Sequence, residues 1–226
     1  MENKNPRLLG AEQGGKPMPT ILRVQYNLPD AQFLNEMLTD DLILRYVKDD
    51  YSRSEHDLEF YDTENWSLMS RGFSLGVTRS LAVPVIELQQ GLRPQRDFPG
   101  YYEGRQFIAP YEKEGDLIEP LMRRGAPNSF RETASSAPLE RWFSTSSHRL
   151  STTLYLPDRT RVDMAFDHAE LAVEDKRQPS YFLFFELLFG EPDLLLNYCE
   201  QVAEHFRLKP VQLSRQQMAL RILRSR

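Results

Sequence analysis

The sequence carries one cysteine, Cys199, in 226 residues, which excludes an internal disulfide framework and a cysteine metal cluster. Its four histidines lie scattered at positions 56, 148, 168 and 205, and that scatter argues against a protein-only zinc site. No apolar run approaches the roughly 20 residues that a bilayer span needs. The opening MENKNPRLLGAEQGGKPMP is polar and glycine-rich, so neither a secretory nor a spanning segment is expected and the default location is the cytosol. Positive charge is not in excess: Lys and Arg number 28 against 33 Asp and Glu, for a net charge of −5. That balance gives no general pull toward nucleic acid or an anionic membrane, although a local basic pocket can still hold phosphate. An early glycine fingerprint and a steady strand-helix alternation are also missing, which makes a dinucleotide fold a poor fit.

What is present is core material. Hydrophobic residues make up 40% of the chain, with 13 Phe and 10 Tyr, and no obvious linker divides it. One domain is expected over residues 19–226, preceded by a flexible arm over residues 1–18 that has little to bury. The longest strand-forming run is YFLFFELLF at Tyr181–Phe189. Side chains alternate along a strand, so Tyr181, Leu183, Phe185, Leu187 and Phe189 share one side and Phe182, Phe184, Glu186 and Leu188 the other. Both sides are apolar, and Glu186 must be paired, hydrogen-bonded, near water or protonated if it is enclosed.

The remaining elements follow in order. Thr20–Tyr26 reads as a strand, and Asp30 is placed to cap a helix reaching about Tyr46 that Thr39-Asp40-Asp41 can split. Lys48–Glu59 reads as a charged span. Strands are expected over Ser74–Arg79, over Leu81–Gln89 with Pro84 marking an edge or bulge, and over Tyr101–Ile108. Gly91–Gly100 reads as a turn-rich connection, Asp116–Arg124 as a short helix, and GAPNSFRETASSAP as loose. Trp142–Leu156 and Thr160–Phe166 are strands around a Pro157-Asp158 turn, and Lys176–Ser180 is read as the turn before the central strand. Glu191–Phe206 is a helix with Leu195, Cys199, Val202 and Phe206 on its apolar stripe, and Ser214 caps a last helix. The class is α+β with many antiparallel strands.

Several stretches then carry a family resemblance: FYDTENWSLMSRGFSLGVTR at Phe60–Arg79, FSTSSHR at Phe143–Arg149, VDMAFD at Val162–Asp167, FFELLFG at Phe184–Gly190 and LSRQQMALRIL near the end. In order and wording they resemble the CYTH family, the triphosphate tunnel metalloenzymes. The resemblance implies a closed antiparallel β-barrel, or tunnel, of about eight strands with surrounding helices, whose inward acidic residues hold divalent metal and whose inward basic residues hold a triphosphate. It also exposes departures. The family's opening Glu-x-Glu-x-Lys falls on Ile21, Arg23 and Gln25, its paired basic residues on Gly76 and Thr78, and its next lysine at or near Gln89. An Arg-x-Glu pair falls on Gly104 and Gln106, with a possible one-residue slip because Arg105 lies between them. Phe182 and Phe184 occupy acidic positions of the late strand, leaving Glu186. Arg149 and Asp167 match directly, and the late Ser-Lys pair is Ser214-Arg215.

Hydrolysis of a triphosphate needs cationic donors for its oxygens, carboxylates for magnesium or manganese, and an in-line water. The inward set expected here is Arg23, Arg149 and Arg161 against Asp163, Asp167 and Glu186, which balances in charge and can satisfy itself. Three readings follow. The first is a tunnel-fold domain without ordinary triphosphatase activity and with no cofactor, acting as a binding or interaction module for a protein partner or a small anionic ligand. The second is a divergent triphosphatase using Arg149, Arg161 and Arg215 for phosphate and Asp163, Asp167 and Glu186 for Mg2+ or Mn2+. The third is a pocket, lined by Phe182 and Phe184, for a partly apolar anion. Arg23 with Glu186 is also readable as a plain ion pair, His148 and His168 have no nucleophile or ligand motif beside them, and Cys199 is an apolar helix position. Tyr101-Tyr102 and Tyr181–Phe185 lack the interleaved basic track that stacking on nucleic acid requires.

Overall fold

The computed structural model describes residues 20–94, 98, 100–211 and 213–225. The expected arm over residues 1–18 lies outside them. Eight long antiparallel strands form a ring: β1 (Thr20–Asn27), β2 (Ser52–Asp62), β3 (Phe73–Thr78), β4 (Val85–Pro94), β5 (Tyr101–Pro110), β6 (Glu140–Tyr155), β7 (Arg161–Val173) and β8 (Lys176–Phe189). Their order is β5-β4-β3-β2-β6-β7-β8-β1, and a β5–β1 pairing closes the ring. A two-residue strand, β9 (Lys209–Pro210), is added beside β1. The closed antiparallel barrel expected from the family resemblance is therefore present.

Closure rests on β1, which divides its length between neighbours. Thr20–Val24 pair with Tyr101–Arg105 of β5, and Arg23–Asn27 pair with Phe182–Glu186 of β8. Gly100 allows the tight approach at the seam. Its φ is +85°, and a Cβ there would lie 2.7 Å from the Gln25 carbonyl oxygen, a position few residues other than glycine tolerate.

The two larger apolar cores lie outside the ring, under helices, while two smaller clusters are formed by inward residues, among them Phe60, Phe143, Phe182 and Phe184. On one flank, Val24, Tyr26, Met164, Phe166, Leu183 and Phe185 pack with Leu195, Tyr198, Cys199 and Val202 of α6 (Pro192–Phe206). The same cluster takes Met37 of α1 (Gln32–Leu38) and Ile43 of α2 (Asp41–Leu44). These two short helices are the predicted helix split by its acidic interruption: Asp30 accepts from the Phe33 N–H, and Asp40 accepts from the Leu42 N–H to start the second. On the other flank Leu75, Val77, Ile86, Leu88 and Phe107 pack with Leu68 of α3 (Ser67–Ser70), Leu121 of α4 (Glu119–Arg123) and Phe130 of α5 (Asn128–Ala134). The last helix, α7 (Arg215–Arg224), starts with a capping box in which the Ser214 hydroxyl accepts from the Gln217 N–H. Its Met218, Ala219, Ile222 and Leu223 pack on Phe60, Phe143, Leu171 and Val173.

Four sequence expectations need correction. The charged span Lys48–Glu59 contains most of β2, which pairs with β6 over its whole length. Strand β4 starts at Val85, so Pro84 precedes it and is neither edge nor bulge, and the strand runs on into the expected 91–100 connection. The stretch read as loose holds α5, anchored by buried Phe130, Thr133 and Ala134. Lys176–Ser180 is the first part of β8, paired with Ala169–Val173, and the turn falls one step earlier at Glu174 and Asp175.

Candidate functional site: a polar tunnel with arginines seated on phenyl rings

The inward residues of the ring enclose a cavity of about 600 Å³, within the size range of small-molecule sites. Its lining is mixed. Arg23, Arg149 and Arg215 bring charge, Ser74, Thr78, Gln89, Gln106, Thr145 and Ser147 bring neutral hydrogen-bonding groups, and Leu58, Phe73, Val85, Ile108 and Phe184 bring apolar surface.

The charged wall is built by β1, β6, β7, β8 and the first residue of α7. Arg23 donates from Nε and Nη2 to one oxygen of Glu186, Oε2, at 3.0 and 2.6 Å. The two residues face one another across the β1–β8 ladder, so the backbone register sets this pair. Asp167 is 2% exposed, and its Oδ2 accepts from Arg149 Nη2 at 3.0 Å and from Arg215 Nη2 at 2.7 Å. Burial pushes the Asp167 carboxyl up, but the two guanidinium groups outweigh it and hold the group well below the usual carboxylate range. Burial likewise opposes the charge on Arg149, yet Asp167, with Asp163 and Glu186 behind it, shifts that arginine upward overall. Arg215 moves the other way, because burial and the like charges of Arg149 and Arg23 exceed what Asp167 returns.

The guanidinium groups also lie over aromatic faces. The Cζ atoms of Arg23 and Arg149 are 5.5 and 5.4 Å from the centre of the Phe184 ring, and that of Arg215 is 5.7 Å from the Phe182 ring. These are cation–π distances. Phe182 and Phe184 thus stand where the family resemblance places carboxylates, and each accepts a cation with its ring face.

The remaining predicted positions separate as follows. Gln25 lines the cavity and lies opposite Phe184 in the ladder, whereas Ile21 is buried beside Gly104. Gly76 lines it too, but a Cβ there would sit 2.8 Å from Leu58 Cδ1, so Leu58 occupies the space that a basic side chain at position 76 would need. Gln106 faces inward and Arg105 is exposed, which removes the one-residue ambiguity on β5. Arg161 does not join the set. It is exposed at the very start of β7, opposite exposed Phe189 where β8 carries one extra residue, Leu188, and its guanidinium lies 5.6 Å from the Tyr155 ring. With Arg161 removed and Arg215 added, the cluster still balances, three arginines against Asp163, Asp167 and Glu186.

A divalent metal fits this donor set poorly. Asp167 gives Oδ2 to two arginines and keeps Oδ1 as a single buried oxygen without a hydrogen bond, Glu186 gives Oε2 to a third arginine, and two of the family's carboxylate positions are phenyl rings that donate no lone pair. Among the described residues no group of three or more His, Cys, Asp or Glu side chains is arranged to hold a metal ion.

Two cavity residues went unnoticed in the sequence. Glu87 lies on β4 two residues before Gln89 and so on the same face. Its carboxylate accepts from Thr78 Oγ1 at 3.4 Å and from Gln106 Nε2 at 3.2 Å. His56 lines the cavity from β2, with Nε2 2.9 Å from the Ser54 hydroxyl. The alternation Val85-Glu87-Gln89 could have revealed the first, and recognition of β2 as a strand the second. His148 and His168 are outside, facing each other across the β6–β7 ladder with His168 stacked on Tyr181.

No protein-family model matches the chain, and no curated protein sequence matches it either. Solved structures do. One is a Hippeastrum protein named as an adenylyl cyclase and described as having a dominant triphosphatase activity: 15% identical, TM-score 0.54, over 86% of this chain and 92% of that one. Another is a Pyrococcus horikoshii protein whose name states no activity: 9% identical, TM-score 0.52, over 91% of this chain and 99% of that one. The fold defined by the ring and its inward polar face is the CYTH, or triphosphate tunnel, fold. No helix among the described residues is long and apolar enough to cross a membrane.

Proposed function

We propose that this chain is a tunnel-fold binding protein that takes a partly apolar small anion and lacks ordinary metal-dependent triphosphatase activity. The observation that carries the reading is Phe184, whose ring lies against both Arg23 and Arg149. A triphosphate site needs guanidinium groups in surplus over carboxylates and carboxylates left over for metal. Here each arginine is already bonded to a carboxylate and seated on an aromatic ring. Two donors lack a protein partner: Thr145 Oγ1 and Arg149 Nε are buried without a hydrogen bond, on residues that line the cavity, and a small side-chain shift brings them to an incoming anion. An anionic head can accept from both, while an apolar body lies against Phe184, Leu58 and Ile108.

The divergent triphosphatase remains the second reading, supported by the open cavity and by the likeness to the Hippeastrum protein. One experiment separates the two. Purified protein is titrated with hexyl phosphate by calorimetry and assayed for phosphate release from inorganic tripolyphosphate with magnesium and with manganese. The binding reading expects saturable hexyl phosphate binding, weakened by Thr145→Val, and no phosphate release above the metal-only blank. Metal-dependent release that scales with protein and disappears in a folded Arg149→Ala variant would reject it in favour of the hydrolase.

A further inference from the structure

The charge pattern of the cavity is two-sided. In the ring order, β4 and β7 are four strands apart in either direction, so Glu87 on β4 stands across the cavity from the strand that carries Asp167. The arginines gather on the Asp167 side and balance the acids there. Glu87 has no such match. Its two hydrogen-bond partners, Thr78 and Gln106, are neutral, and it takes part in none of the ion pairs among the described residues. Glu59, Asp167 and Glu186, by contrast, each hold an arginine.

An isolated carboxylate held by two neutral donors keeps most of its attraction for a cation, and a partly enclosed cavity strengthens that attraction relative to bulk water. A purely anionic ligand would meet this charge as a repulsion. A ligand that carries its own cation would not. We propose that the cavity is built for a zwitterion, with its anionic group on the Arg149 and Thr145 side and its ammonium group against Glu87. This rests on the anion-binding reading above and adds the second pole of the ligand. The spacing between the poles is bridged by the apolar lining, which suits a short hydrocarbon linker.

The test compares two matched probe series in calorimetry with EDTA present: straight-chain alkyl phosphates from propyl to octyl, and the corresponding ω-aminoalkyl phosphates. The expected result is a chain-length optimum at which the amino compound binds about ten-fold tighter than its alkyl counterpart, the size of one charge-assisted contact. In Glu87→Gln, which keeps an acceptor for Thr78 and Gln106, that ratio should fall to about one, with folding checked by thermal melting. Equal binding of the two series, or a preference that survives Glu87→Gln, overturns the zwitterion and leaves the anion site standing. Failure of both series to bind overturns both proposals.

Discussion

Replacing Asp167 by Asn tests the charged wall most directly. The carboxylate is fully enclosed, with no side-chain exposure, and Oδ2 accepts from two guanidinium groups at 3.0 and 2.7 Å. A hydrogen bond to a charged group contributes about 1.5–3 kcal/mol, so two give a gross loss of about 3–6 kcal/mol, reduced because the carboxylate no longer has to be desolvated. Removing one partner of a buried pair costs about 3–5 kcal/mol in general, and that is the expected loss of unfolding free energy for Asp167→Asn at neutral pH. For a chain of this size each kcal/mol moves the melting midpoint by about 2–4 °C, so a fall of about 6–20 °C should be seen by calorimetry. Two further readouts are specific to the mechanism. The variant leaves Arg149 and Arg215 with surplus charge, so millimolar sulfate should raise its midpoint more than that of the parent. The pH dependence has a definite sign: the folded-state value of Asp167 is depressed, so its contribution is complete above the unfolded value of about 3.9 and disappears as pH falls through the folded value. The gap between parent and variant should therefore shrink on acidification below about pH 4. A loss under about 1 kcal/mol, with no sulfate effect, would refute the view that Asp167 is held by two partly buried arginines.

Three other outcomes are expected. Glu186→Gln should cost about 2 kcal/mol in urea unfolding, since a neutral amide replaces the acceptor of two Arg23 donors; an unchanged midpoint would show that the pair is only incidental. Gly76→Ala should cost about 1–3 kcal/mol by crowding Leu58. The double variant Gly76→Ala/Leu58→Ala should lose less than the sum of its parts in the same assay, and strict additivity would mean that the two positions do not compete for space. Cys199 is completely buried and burial pushes its thiol up, so a thiol reagent should label it only in denaturant; rapid native labelling would contradict the packing of α6.

The strands that announced themselves in the sequence are those with an apolar outer face beneath a helix. Tyr181–Phe189 and Thr20–Tyr26 were readable because Leu183, Phe185, Val24 and Tyr26 belong to one core. The Ser214 cap was readable because capping depends on local chemistry alone. Strand β2 was not, for a reason that lies in the tunnel itself. Arg53, Glu55 and Asp57 face solvent, and the opposite face carries Ser54 and His56 toward a polar interior. With both faces polar the two-residue hydrophobic period vanishes, although the backbone pairs in full with β6. The same cause hid His56. Glu87 gives little signal because a strand read across Pro84, from Leu81 to Gln89, does not fix which of its residues face inward. Arg161 has the inward parity but stands at the first residue of β7, and parity counting does not say how far along a strand the cavity reaches.

The seam at β1 reaches beyond the binding site. This strand precedes all of its partners, which span residues 101–105, 182–186 and 209–210, and the Arg23–Glu186 pair joins positions 163 apart. During synthesis the segment that must shut the ring is made before every one of its partners and has to wait until residues 182–186 and 209–210 have emerged. Contacts so distant in sequence are slow to form, and an unpaired edge is open to other chains meanwhile. The barrel should therefore depend on holding chaperones, or on a slow ribosome, more than one closed by strands adjacent in sequence.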